Sequence, residues 1–216
     1  MRIAFTLVLF FSISQAEITA SNISPDGKNL ILGSSTGFTY VLDKNFLEIF
    51  RYRSEVDSSA IQNVHAIQKN DILTCISTTE SHRVIFFDPD TGGIFQDYPT
   101  MGSILVTAVH PSLQDEFLIY TRNGYIRRFI PQKAEYLNRV RLPQKPVLTV
   151  LKYSNSDNTI GYVTNRGVCK ILVQSVFDPL IDVPTKSTKD IVNMAFSPIP
   201  GIIAVGYEDG EIGIYS

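Results

Sequence analysis

The chain has 216 residues, 44% of them hydrophobic and 19% charged. That composition excludes a disordered chain, and a chain of this length buries roughly 70% of its extended surface, enough for a sizeable core. A formal net charge of −2 provides no overall field to draw it to nucleic acid or to an anionic membrane.

Residues 1–16 read MRIAFTLVLFFSISQA. Arg2, the apolar run 3–11 and the small residues Ser14 and Ala16 resemble a secretory signal peptide with its cleavage site. The run is too short to cross a bilayer as a helix, which takes about 20 apolar residues, so no integral membrane segment is expected.

From residue 17 the chain repeats. In the first copy, near 17–54, a short apolar strand (18–25, ITASNISP) precedes a hairpin (29–43, NLILGSSTGFTYVLD) that turns at Gly37, and a fourth strand covers 46–52. The second copy, near 55–101, has a first strand at 61–67, a hairpin at 71–88 with Thr-Glu-Ser at its turn, and an outer strand at 94–98. In the third, near 102–144, strand 106–111 precedes a hairpin at 116–130 turning at Gly124, with an outer strand at 136–142. The fourth, near 145–187, turns at Gly167 and has its outer strand at 176–183. The fifth, near 188–216, turns at Gly210 and ends with its third strand. Gly124, Gly167 and Gly210 stand 43 residues apart, and Gly37 stands 87 before Gly124. Each glycine suits a tight turn that needs positive φ. Five residues after each comes a large apolar residue, Leu42, Phe129, Leu172 or Tyr215, and Phe87 fills that place in the second copy. Four short strands in about 43 residues is the signature of a propeller blade, whose sheet hides its faces only against the next copy. The expected fold is all-β, a propeller of about five four-stranded blades.

The turn sequences Ser24-Pro25-Asp26-Gly27 and Ser197-Pro198, the X-Gly hairpins, and Leu42-Asp43 and Phe87-Asp88 at the end of the third strand resemble the WD-repeat family of β-propellers. The resemblance covers nearly the whole chain. There is no Trp and no Gly-His dipeptide, and only Asp209 stands at the family's aspartate place. The family's Asp-His-Ser-Trp tetrad is therefore not expected in any repeat. Propellers of this type usually have about seven blades, so another subunit or further sequence is expected to complete the ring. The family's manner of closure offers a second reading of residues 1–16. One period before the first outer strand lands on Thr6, so the apolar run 3–11 can supply the last blade's missing outer strand and remove an exposed edge.

Cys75 and Cys169 fall in non-neighbouring repeats, too far for the Cα separation of about 7 Å that a disulfide requires. Two small buried thiols favour a reducing compartment and a cytoplasmic site, whereas the signal-peptide reading places the chain in the secretory pathway. The Asn22-Ile23-Ser24 sequon counts only in the latter case.

No catalytic, cofactor-binding or metal-ligating set emerges. His65, His82 and His110 lie apart from spaced Cys, His or carboxylate partners, and no Gly-x-Ser-x-Gly, Cys-x-x-Cys or phosphate-cradling loop is present. The first strands carry Thr19, Gln62, Thr107, Thr149 and Asn193, which are neutral and suit a polar channel more than hydrolysis. Loops 53–60, 101–103, 142–146 and 184–190, joining one repeat to the next, should share a face where partners bind. Basic residues gather in the third repeat: Arg122, Arg127, Arg128, Lys133, Arg139, Arg141 and Lys145. They read as a solvated edge that resists aggregation, or as a docking patch for an acidic partner or a phosphorylated lipid. Arg127-Arg128 lacks the Phe-Arg-Arg-Gly motif of phosphoinositide-binding propellers. The candidate protein-contact residues are Arg122, Arg127, Arg128, Arg139, Arg141 and Lys145. The expected role is a non-enzymatic scaffold that binds other proteins within a larger assembly, without a cofactor. The alternatives are a secreted or vesicular ligand-binding propeller and a propeller-type hydrolase.

Overall fold

The computed structural model describes residues 16–69, 72–100, 102–110, 116–130, 135–154, 159–173, 179–183 and 189–216. The expectations placed on residues 1–15, Lys133, Met101 and most of loop 184–190 lie outside them. The described residues contain strands and no helix, so none is long and apolar enough to cross a membrane. The strands form five antiparallel sheets, each cut from one stretch of sequence. Sheet 1 holds β1 (Ile18–Ile23), β2 (Leu30–Ser34), β3 (Thr39–Leu42) and β4 (Glu48–Tyr52). Sheet 2 holds β5 (Ile61–Lys69), β6 (Ile72–Thr79), β7 (Arg83–Phe87) and β8 (Ile94–Pro99). Sheet 3 holds β9 (Ile104–Val109), β10 (Phe117–Thr121), β11 (Tyr125–Ile130) and β12 (Glu135–Arg141). Sheet 4 holds β13 (Leu148–Tyr153), β14 (Thr159–Thr164), β15 (Cys169–Val173) and β16 (Pro179–Asp182). Sheet 5 has three strands, β17 (Ile191–Phe196), β18 (Ile203–Tyr207) and β19 (Ile212–Tyr215).

The middle strands are apolar on both sides. β3 is buried throughout, as is β10, and β2 and β7 are buried but for their first residue. A strand that reads as a continuous apolar run is one covered on both faces of its sheet. The edge strands β1 and β4, first and last of sheet 1, mix exposed and half-buried positions. Sheet 5 differs, since β18 and β19 each bury only alternate residues more deeply, and Ile212 and Ile214 remain 73% and 74% exposed.

The described residues form two compact units that meet in sequence between Ser103 and Ile104. In the first, β5 packs along β1 and β2 around Ile31, Val41, Ile61, Val64 and Phe87. The approach is close. A Cβ on Gly33 would stand 2.5 Å from Ile61 Cγ2, so this position admits no side chain. The Thr19 hydroxyl donates to Ile61 O at 2.5 Å, and Asn22 Nδ2 donates to Val64 O at 3.1 Å, which ties sheet 1 to sheet 2. In the second unit, β13 packs on β9, and β17 packs on β13 and β14. Gly161 is its counterpart of Gly33, with Met194 Cε 2.2 Å from where its Cβ would be.

Two irregularities recur in register. In every sheet the first strand carries one extra residue against the second, at Thr19, Gln62, Leu105, Thr149 and Val192. In each four-stranded sheet the outer strand carries one extra residue against the third, at Ile49, Phe95, Leu137 and Leu180. Such bulges bend the strand and increase its right-handed twist. Sheets twisted at the same two places present the same shape to the next copy.

The hairpin turns also share one geometry. A backbone bond closes residue i to i+3 in all five: Ser34–Gly37, Thr79–His82, Thr121–Gly124, Thr164–Gly167 and Tyr207–Gly210. The last residue of each turn has positive φ: 81° at Gly37, 70° at His82, 90° at Gly124, 68° at Gly167 and 88° at Gly210. The second turn is thus corrected from Thr-Glu-Ser by one residue, and His82 takes the place that glycine holds elsewhere.

Candidate functional site

In sheets 1, 2, 4 and 5 the residues that lead into the sheet are held against that sheet's own hairpin turn. The amide of the second turn residue donates to the carbonyl just before the first strand: Ser35 to Glu17, Glu80 to Ala60, Asn165 to Val147, and Glu208 to Asp190, at 2.8–3.1 Å. The same loops also press on the turn of the preceding sheet. A Cβ on Gly37 would meet Ser58 and Ser59, one on Gly124 would meet Lys145, and one on Gly167 would meet Asp190, all within 2.9 Å. Within each unit, turns and loops therefore alternate along one face. Gln144 and Lys145, with φ of 60° and 46°, bend the loop that follows sheet 3, and the Tyr120 hydroxyl donates to Pro146 O at 2.5 Å to fix it.

Among the described residues loop 53–60 is the most heavily bonded. The Asp57 carboxylate accepts the Thr79 hydroxyl at 2.7 Å, the Ser59 amide at 2.9 Å, the Ser59 hydroxyl at 3.1 Å and the Ser81 hydroxyl. Partial burial pushes this carboxyl up, but the hydrogen bonds from Ser81, Ser59 and Thr79 outweigh burial and hold it down to about 2. On β8, at the same turn end of sheet 2, the Asp97 carboxylate accepts Arg83 Nε at 2.6 Å and the Ser54 hydroxyl at 2.5 Å. These hydroxyl–carboxylate networks join loop to turn without Trp or a loop histidine. His82 makes its own link, with Nε2 3.0 Å from the Ser103 hydroxyl.

The basic residues of the third repeat divide into two sets. Arg128 is spent inside the sheet, where Nε donates to Glu116 Oε2 at 3.0 Å and Nη2 donates to Oε1. Arg127 lies on the opposite face and is buried, 7% exposed. Neither presents its charge to solvent. Arg122, Arg139, Arg141 and Lys145 are exposed. Three of them meet around one hairpin end. Arg139 and Arg141 place their guanidinium carbons 5.1 and 5.9 Å from the Tyr125 ring centre, and Lys145 lies against Gly124. Arg122 occupies the turn itself. A related arrangement stands in sheet 1, where Arg51 and Arg53 lie 5.8 and 5.3 Å from the Phe38 ring centre. There Arg51 is paired with Glu48 at 3.3 Å.

The chain matches no protein-family model and no curated protein.

His110 is buried against the Tyr153 ring, with ring centres 4.5 Å apart. Burial pushes the Tyr153 hydroxyl above its ordinary value, with the Glu116 charge adding to it. Cys75 and Cys169 are free and buried, and burial pushes both thiols up, Cys169 to about 11. Cys169 Sγ lies 3.8 Å from Met194 Sδ. Among the described residues no three His, Cys, Asp or Glu side chains gather as a metal site. Of the neutral first-strand residues, Thr19, Gln62 and Thr149 are the bulged positions, while Leu105 and Val192 take that place in sheets 3 and 5.

Two signals were missed in the sequence. A hydroxyl residue stands three before the turn residue in four of five copies (Ser34, Thr79, Thr121, Thr164), and the Oγ accepts the amide of the residue after the turn in three of them, from Phe38, Arg83 and Val168 at 3.0–3.2 Å. Counting five back from Phe87 reaches His82, which identifies the odd turn.

Proposed function

We propose that the chain is a non-enzymatic interaction scaffold of WD-like propeller blades, which presents turn-and-loop faces to other proteins within a larger assembly. The observation that carries this reading is the repetition itself. Five sheets share one turn geometry and one bulge position, while the loops wedged between the turns differ in every copy. A uniform frame with variable connections is how repeat proteins hold binding residues at fixed spacing. The networks at Asp57 and Asp97 support it further, because both fix loop 53–60, which would otherwise sample many shapes, and a preorganised surface loses less entropy on binding.

The test is native size and composition. The chain, tagged at its own locus and cross-linked in cells, should elute well above 24.1 kDa with a reproducible set of proteins cross-linked to loops 53–60 and 142–146. Elution as a lone monomer without cross-links at those loops would overturn the reading. So would turnover of an ester, phosphate or glycoside substrate that survives repurification.

A further inference from the structure

We propose that the outer edge of sheet 3 takes an acidic, extended segment of a partner protein as an added strand along β12. The proposal rests on the scaffold reading and names the chemistry of one of its partners.

Charge is the first ground. Residues 104–145 hold seven of the 19 basic residues and only three of the 21 acidic ones, so a basic block sits in an acidic chain. The structure then removes part of the block, since Arg128 is neutralised by Glu116. Arg122, Arg139, Arg141 and Lys145 remain exposed, and among the described residues none of the four has a carboxylate partner. Cations elsewhere do: Arg51 with Glu48, Arg83 with Asp97, Lys170 with Asp182.

Geometry is the second ground. Among the described residues β12 pairs with β11 on one side only and is the edge of its sheet. An edge strand offers a free row of amides and carbonyls, which an extended peptide can extend. Arg139 and Arg141 are two apart, so both lie on one face of β12, and both are held over the Tyr125 ring. Their stacking fixes two long side chains before any ligand arrives, and a guanidinium binds a carboxylate with two parallel hydrogen bonds. A strand added to β12 points every second residue to that face. The matching segment carries Asp or Glu at alternate positions.

The test is fluorescence anisotropy with the purified full chain and a labelled peptide alternating Glu and Val, beside a Ser/Val peptide. The Glu/Val peptide should bind and the Ser/Val peptide should not. Raising salt to about 0.5 M should weaken binding strongly. Arg139→Glu with Arg141→Glu should weaken it about tenfold or more, and Arg139→Gln with Arg141→Gln should do so less, with melting points unchanged. Arg51→Glu with Arg53→Glu in sheet 1 should leave affinity within about twofold, because Glu48 already occupies one cation there. N-methylation of alternate peptide amides should abolish binding. Binding that survives N-methylation overturns strand addition. Binding unaffected by Arg139→Gln with Arg141→Gln overturns the site, as does failure of a folded wild-type chain to bind the Glu/Val peptide. Tighter binding to phosphatidylserine vesicles than to peptide assigns the edge to a lipid surface and overturns a protein partner. The scaffold reading is tested apart from all of these, by the native cross-links at loops 53–60 and 142–146.

Discussion

The Thr79 hydroxyl donates to the Asp57 carboxylate at 2.7 Å while its oxygen accepts the Arg83 amide at 3.2 Å, so one side chain fastens a loop to a turn and closes that turn. Asp57 is held down to about 2, against an ordinary value of 3.8. A carboxyl depressed in the folded state stabilises the fold only while ionised. Its contribution is complete at neutral pH and is lost as pH falls from about 4 towards 2. Asp57→Asn should lower the melting temperature at pH 7 and make its decline between pH 4 and 2 shallower than in wild type. Part of the decline should remain, because the Ser24 hydroxyl and Lys28 amide also hold Asp26 at about 2. Thermal melts across that range check both. A parallel decline in the two proteins would contradict the assignment.

The turn glycines should differ in what they tolerate. Gly167 and Gly210 both have positive φ, but a Cβ on Gly167 would lie 2.6 Å from Asp190 Cα, whereas nothing lies within 4 Å of one on Gly210. Gly210→Val should cost about 1–3 kcal/mol from backbone strain alone. Gly167→Val should cost more and should also loosen the loop before β17. Chemical denaturation gives the two energies, and equal values would contradict the wedge at Asp190.

Glu116 and Arg128 form a largely buried ion pair, their side chains 10% and 19% exposed. Removing one partner leaves an uncompensated charge. Glu116→Ala should destabilise by about 3 kcal/mol, and Glu116→Leu with Arg128→Met should recover much of it. A double-mutant cycle that yields no coupling would contradict this.

The sequon at Asn22 should stay unglycosylated even if the chain enters the secretory pathway. Asn22 Nδ2 is committed to Val64 O, and Ser24 is 2% exposed. Intact mass of the native protein checks this, and it also reads the fate of residues 1–16. The cytoplasmic reading expects them retained.

What the sequence made legible was the repeat, because Gly37, Gly124, Gly167 and Gly210 all serve one backbone need. His82 escaped because a histidine tolerates that conformation without advertising it, and only the fixed distance to Phe87 exposes it. The bulges were invisible. Thr19, Leu105 and Val192 share no chemistry, so their common role appears only in strand register. The basic block was legible as composition, but its division was not. That Arg128 is consumed and Arg139 is free depends on Glu116 lying across the hairpin and on Tyr125 lying beneath the outer strand. Spacing alone does not report either.

Every described strand pairs only with the strand before or after it in the chain. The strand pairing of each sheet needs no distant sequence, so it can form once its own forty-odd residues have left the ribosome, and its faces are covered when the next copy follows. Short-range pairing of this kind shortens the search that makes most β proteins slow to fold, and limits the time that apolar edges stand open to aggregation. Successive nascent-chain lengths should therefore gain protease protection in steps, one sheet at a time.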